Sequence, residues 1–326
     1  MPTFRHSLTR LLPALFSLLA LPVAGQEPGL TGPLAVDHEV VSMSEPEPVA
    51  SDSPFAPPPA TFEQQVVELV NLERSICTTG CPLPPYKHLA VLEAVSDAHS
   101  GSMAVNDFFS HYDPSNGCSS PQQRATAAGY TGSVGENAAA GNATPAATVA
   151  QWMASAGHRA NILGGYRETG VGYFHQSNDQ PNIDLILNPD CDCVDAGETC
   201  NGGPWTFYWT QLFGTRTNVY PLVIEREKHS IASGTVALHV YGPGGADDMR
   251  FSNDGLNWSA WQAYSTAKSW SLAAGDGLRT VFSEVRNGST VYKGCDRIWR
   301  IGAGGDEIYA DGFDCDGWSA WSEIAP

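Results

Sequence analysis

Basic side chains are scarce in this sequence: 17 lysines and arginines stand against 35 aspartates and glutamates, a formal charge of −18 over 326 residues. A face that grips nucleic-acid phosphates needs clustered Lys and Arg, so a nucleic-acid partner is excluded, and the acidic surplus reads as a solvated surface. Long apolar runs are missing beyond Leu21, and no transmembrane anchor is expected. No internal repeat is present. There is no G-x-S-x-G elbow, and Ser110 and Ser155 lack a triad context, so no catalytic nucleophile is evident. The EF-hand spacing is absent from the acidic stretch holding Asp190, Asp192, Asp195 and Glu198. Its interleaved cysteines favour a disulfide-tied insertion over a calcium loop.

The first 25 residues read as an export signal: Arg5 and Arg10 precede the apolar run Leu11 to Leu21, and Val23 and Gly25 are small residues at the offsets a signal peptidase needs. No cysteine follows Gly25, which argues against lipid attachment there. The expected location is therefore secreted or extracellular, with envelope association left open. In that oxidising setting the eight cysteines read as disulfides rather than as a zinc site through Cys191, Cys193 and Cys200. Cys77 and Cys81 can staple the loop between them. Cys295 with Cys315 is the favoured pair in the last segment, and the remaining connectivity stays open.

Residues 26–60, rich in Pro, Glu, Ser and Ala, carry no hydrophobic period and read as a linker. Order begins at Thr61, where "TFEQQVVELVNLERSI" pairs a capping Thr with Gln64 three residues on and repeats Val66, Leu69, Val70 and Ile76 at helical spacing. A second helix puts Leu89, Leu92, Val95 and Met103 on one face. A third starts at Thr144 with Pro145 in its first turn and ends at Gly157. The period then changes to alternation: "GVGYFHQ", "NIDLILN" and "WTFYWTQLFG" read as strands of an antiparallel meander. Helices packed on such a sheet make an α+β domain over residues 61–216. Residues 217–300 are short strands punctuated by Gly, Asn and Asp, the texture of a small β-sandwich. Residues 301–326 form an acidic, aromatic tail.

Three side chains invite chemistry: His111 in "FFSHYDP", Glu136 in "GENAAAG" and His158 in "WMASAGHRANIL". All are expected at loop or element ends. Two imidazoles and a carboxylate suit Zn²⁺ or another divalent metal, with His111 and His158 as ligands. They suit proton transfer equally, with Glu136 as candidate base, because a carboxylate fixes a His tautomer. The bland alternative is that both histidines bond turn backbone and Glu136 caps a loop. Similar readings apply nearby. His99 and Trp152 are expected in the core, Asn161 on loop backbone and Arg159 on a surface carboxylate. Gln211 is expected either in the cleft or bridging strands. Trp258, Trp261 and Trp270 could stack on carbohydrate, though large aromatics in a small sandwich are usually core.

The order "VNLER…HSGSMA…FFSHYDP…RATAAGY…GENAAAG…WMASAGHRANIL…GVGY…YWTQLFG" resembles the bacterial branch of the CAP superfamily, the SCP-like or cysteine-rich secretory protein domains, across residues 62–214. The resemblance implies an α-β-α sandwich with an open cleft, extracellular location, and His111 and Glu136 as two members of a cleft tetrad of two His and two Glu that binds divalent metal in some relatives. Ser155 and Tyr208 stand where animal and plant members carry the other Glu and His. The ligand cleft implied for this chain is His111, Glu136, His158, Ser155 and Gln211. Residues 217–300 are similar to immunoglobulin-like modules of secreted bacterial proteins, which implies attachment or spacing. The preferred function is binding of an extracellular ligand, whether lipid, small molecule or macromolecule. Two rivals stay open: a metal-dependent hydrolase, and an envelope adhesion or scaffold protein.

Overall fold

The computed structural model describes residues 57–193 and 199–302, with the strand backbone of 322–324. The expected signal peptide, nearly all of the 26–60 linker, Asp195, Glu198, Cys315 and the acidic tail lie outside the described side chains. In chain order the first part contains α1 (Phe62–Ile76), β1 (Lys87–His88), α2 (Ala90–Val105), β2 (Phe108–Phe109), α3 (Pro121–Ala127), β3 (Ser133–Ala140), α4 (Pro145–Ala154), α5 (Ala156–Ile162), β4 (Glu168–His175), β5 (Ile183–Leu185), β6 (Thr199–Gly202) and β7 (Phe207–Thr215).

The strands do not form a meander. The main sheet runs β1-β4-β7-β3, so the last long strand lies between two earlier ones, and β1 joins β4 in parallel. Helices cover both faces. On one, Val66, Val67 and Val70 of α1, Val149 and Trp152 of α4 and Ile162 of α5 pack on Val171, Trp209 and Phe213. On the other, Leu92 and Val95 of α2 with Ala125 of α3 pack on Leu212. Alternation along β7 therefore divides two cores, and both sets of its side chains are buried. The α2 layer sits very close. A Cβ on Gly170 or Gly172 of β4 would fall 2.1 Å from the backbone of α2. The hydroxyls of Ser96 and Ser100 donate to the carbonyls of those same glycines. The "GVG" of the sequence is thus a contact surface.

Helix ends follow side-chain chemistry. Thr61 caps α1 by accepting from the Gln64 amide, but Gln64 does not complete a capping box, because its own side chain donates to the Glu227 carbonyl at 2.6 Å. The full box sits at α3, where Ser120 and Gln123 cap each other's backbone. Thr144 caps α4 with Pro145 behind it. That helix breaks at Ser155, not Gly157, which lies inside α5. Three disulfides are described: Cys77–Cys81, Cys118–Cys191 and Cys193–Cys200. They take up every cysteine of the zinc alternative. Cys295 is disulfide-bonded as well. No helix among the described residues is long and apolar enough to cross a membrane.

The second part continues with β8 (Leu222–Ile224), β9 (Ser230–Ile231), β10 (Thr235–Val240), β11 (Asp248–Ser252), β12 (Gln262–Ala263), β13 (Ala267–Ser271), β14 (Gly277–Asn287), β15 (Thr290–Arg300) and β16 (Ser322–Ile324). One sheet runs β13-β10-β8. The other runs β12-β11-β14-β15-β16, with β9 added beside β15. Leu222, Ile224 and Leu238 of the first meet Met249, Phe251, Val281, Val285 and Ile298 of the second in one buried core. Trp270 packs into this core against Phe251. Trp258 and Trp261 are engaged otherwise: the Arg250 guanidinium lies over both rings, at 5.0 and 4.5 Å, and Arg286 lies over Trp261 at 4.7 Å. Each of these two rings thus has at least one face taken by an arginine.

The two parts are joined through the turn Glu225–Arg226–Glu227, in which all three residues take positive φ, 45°, 60° and 65°. Side chains in that region are costly, so strong contacts must hold the turn. Arg226 donates to the carbonyls of Asn71 and Leu83. Glu227 pairs with Lys87 at 3.0 Å, and Lys87 also pairs with Asp296 of β15. The Lys87 pKa is raised: burial opposes this, but the two carboxylates outweigh burial. Burial first, then the charge of Asp296, pushes the Glu227 carboxyl up.

Candidate functional site

The candidate site forms where the end of α2, the loop after β2, α3, β3 and α5 come together. Glu136 lies mid-strand in β3, opposite Leu212 of β7, and not at an element end as its sequence context suggests. Its carboxyl is buried and both oxygens are bonded: His111 Nδ1 lies 2.8 Å from Oε1, and Arg124 Nη2 donates to Oε2 at 2.6 Å. Burial would raise the Glu136 pKa, but Arg124, His99 and His111 outweigh it and the result is lowered. Glu136 is therefore ionised at neutral pH, and the proton of the shared bond sits on His111 Nδ1. Nε2 of the same ring takes no part in this bond, and the His111 side chain is 31% exposed.

Two further residues, not singled out from sequence as site members, complete this arrangement. Arg124 Nη1 donates to the carbonyls of His111 and Ser119, so one guanidinium ties the carboxylate to the loop that carries its partner. His99 is buried, as expected, and its Nε2 lies 2.8 Å from the Ser110 carbonyl, just before His111. Its Nδ1 is 3.7 Å from Asp113 Oδ2. Burial raises the Asp113 pKa, but the nearby His99 ring and hydrogen bonds from Ser115 more than reverse this, and it lies well below the usual carboxylate range. The only signal for Arg124 in the sequence was its place behind the Ser120–Gln123 cap; nothing local distinguishes it from a surface arginine.

His158 sits in the first turn of α5, three residues after its N-cap Ser155, at an element end as expected. Its pKa is pushed down to about 4 by burial and then by the charge of His111, which places the two imidazoles within electrostatic reach. Its Nδ1 is buried with no partner. The Asn137 side chain donates to the His158 carbonyl, and Asn161 donates to the Glu136 carbonyl and to Asn137 Oδ1, so an asparagine pair locks α5 onto β3. Ser155 is buried at the α4–α5 junction with its hydroxyl unpartnered. Gln211 is not a cleft residue: it is fully buried between strands, where it donates to Thr169 Oγ1. Trp152 anchors the core beneath, donating to the Ala138 carbonyl. Arg159 meets the Met153 carbonyl, not a carboxylate.

A divalent cation does not fit the donors as they stand. His111, Glu136 and His158 do not bring three ligand atoms within 4.8 Å of one another; among the described residues only Asp184, Cys193 and Cys200 do so. Those two cysteines are bonded to each other. A separate, mainly apolar groove of about 550 Å³ lies along α1, lined by Phe62, Leu69, Leu72 and Pro145, and shares no residue with the His/Glu site.

Helices on both faces of this sheet, with the His111–Glu136 pair at its rim, define the class of protein. Residues 67–187 match the model of the Cysteine-rich secretory protein family, CAP. The uncharacterized protein YkwD of Bacillus subtilis (strain 168) is 34% identical over 120 residues, which are 36% of this chain and 45% of YkwD. An extracellular protein containing a SCP domain from Bacillus anthracis str. Ames aligns over 48% of this chain and 40% of its own, at 24% identity and TM-score 0.35. An outer surface protein from Borrelia burgdorferi aligns over 47% of this chain and 94% of its own, at 14% identity and TM-score 0.34. The matched region thus spans less than half the length of YkwD and of the B. anthracis protein.

Proposed function

We propose that this is an exported CAP-domain protein that binds an extracellular ligand at the His111–Glu136–His158 cleft. Its second part would act as an immunoglobulin-like module fixed to that domain. Export is supported by the apolar run Leu11 to Leu21 and by the disulfides. The observation that carries the binding reading is the 2.8 Å contact of His111 Nδ1 with an ionised, buried Glu136. It holds a partly exposed imidazole whose Nε2 is left for the ligand, which can be a hydroxyl or an amide because either meets that nitrogen as donor or acceptor.

The test uses protein labelled with ¹⁵N at histidine and titrated separately with N-acetylated oligosaccharides, lysolipid micelles and short peptides. One class should move the His111 and His158 signals and leave His99 in place, and Glu136→Gln should abolish the response. Probes that bind tightly without disturbing His111 would place recognition elsewhere.

The same dyad supports a second reading, a hydrolase in which His111 Nε2 takes a proton from attacking water. Turnover of a peptide or ester that disappears in His111→Gln, with the fold intact, would favour it over simple binding.

A further inference from the structure

We propose that Arg124 is the resident cation of this cleft, and that the site functions without a divalent metal. The proposal rests on the cleft described above, but it does not depend on which ligand enters there.

The argument begins at the carboxylate. A carboxylate that holds a metal directs an oxygen lone pair at the ion. Both oxygens of Glu136 are already committed, one to His111 at 2.8 Å and one to Arg124 at 2.6 Å. A charge-assisted bond to guanidinium is among the strongest a buried carboxylate makes. The bond is intramolecular, so it is present before any ion arrives. An incoming dication at Glu136 would have to share an oxygen with, or displace, one of these bonds, and it would sit beside a fixed positive charge in a poorly screened site. It would also find few helpers, since Ser155 stands where the resemblance calls for a second carboxylate.

The arginine is positioned rather than incidental. It is 8% exposed and also donates to the carbonyls of His111 and Ser119, at 2.9 and 2.6 Å. A reciprocal cap at Ser120 and Gln123 fixes the start of its helix. The Cys118–Cys191 disulfide anchors the chain two residues before that cap. The guanidinium therefore does two things a bound metal would otherwise do: it neutralises Glu136 and holds His111 to it. A metal on an imidazole consumes the nitrogen it binds, whereas the Glu136 contact uses His111 Nδ1 and leaves Nε2 to a ligand. Arg124 acts through Glu136 and His111 and is a positioning residue.

Zinc alone is the probe. The full chain is stripped with chelator and titrated with Zn²⁺, with metal content measured after dialysis and the ¹⁵N signals of His111 followed throughout. Wild type should retain no more zinc than His111→Ala, and its His111 should show the Nδ1-protonated pattern. Arg124→Gln, which removes the competing charge, should bind zinc about tenfold tighter or better, the result of relieving one Coulomb repulsion. Arg124→Lys keeps the charge and should still exclude the ion. One equivalent of zinc held by wild type and lost in His111→Ala would overturn the proposal. A folded Arg124→Gln protein that binds zinc no better than wild type would overturn the role given to Arg124. If Arg124→Gln does not fold, the wild-type titration and Arg124→Lys decide. None of these readouts involves the ligand, so failure of the binding reading is seen separately.

Discussion

Arg226 and Asn71 exchange hydrogen bonds in both directions: Arg226 Nε donates to the Asn71 carbonyl, and the Asn71 amide donates to the Arg226 carbonyl, each at 3.0 Å. Asn71 is completely buried on α1 and also holds the backbone of Tyr86. The second part of the chain is therefore seated on the first through a residue that both need. A flexible tether would need no three-residue left-handed turn.

Arg226→Ala should accordingly cost about 2–3 kcal/mol, because it removes two charge-assisted bonds to part-buried carbonyls. The check is the midpoint of chemical denaturation, followed at the tryptophans. Residues 57–216 prepared alone should unfold at lower denaturant than the full chain. An unchanged midpoint in both would mean that the two parts are energetically independent.

Glycines on β4 give a sharper steric prediction. In Gly172→Ala the new Cβ would lie 2.1 Å from the Asp97 amide nitrogen, so α2 must move away from the sheet, at a cost of about 3 kcal/mol. Gly157, in α5, has nothing within 4 Å of an added Cβ. Gly157→Ala should be neutral or stabilise by about 0.5–1 kcal/mol. Thermal denaturation of the two variants side by side tests the layer spacing, and equal behaviour would refute it.

Periodicity disclosed most of the helices and long strands, because burial on a helix or sheet leaves a period in the chain. It did not disclose β3, since "SVGENAAA" is too small and too polar at Glu136 and Asn137 to alternate visibly. Strand order was hidden as well. The meander was the local choice, but β7 inserts between β3 and β4 because its two faces must serve two helical layers. At the site, His111 and Glu136 were legible through the family motifs, and their contact is the geometry found. Arg124 was not, because what distinguishes it is a contact 12 positions along the chain. Gln211 misled for the opposite reason: a polar residue in a strand carries no mark of which interior it faces.

The Cys118–Cys191 bridge closes 73 positions of sequence and anchors the segment leading into α3. Replacing both cysteines with serine should cost about 3–4 kcal/mol, mostly by freeing the unfolded chain. It should also loosen Arg124 and the His111 loop, seen as faster amide hydrogen exchange at residues 111–124. Replacing Cys77 and Cys81 should leave that exchange unchanged. If both pairs of replacements accelerate it equally, the bridge has no special hold on the site.

His158 gives the cleft a pH signature. Burial and the nearby His111 charge hold its pKa at about 4, below the ordinary histidine value, so the folded protein keeps it neutral. As pH falls from about 6.5, the unfolded chain takes the proton first, and stability drains away until the pH reaches the folded pKa. The loss should total on the order of 2–3 kcal/mol between pH 6.5 and 4. His239, also pushed down to about 4 by burial, Arg226 and Arg74, adds a parallel slope. Glu227 opposes both: its raised pKa makes the folded state take a proton before the unfolded chain does, so its contribution grows on acidification. Both background terms are common to wild type and His158→Gln and cancel in the difference. Denaturant titrations at half-unit intervals should therefore give two curves that converge as the pH falls, with wild type losing more than the variant. Parallel curves across that window would mean that the imidazole is solvated and stands outside the cleft.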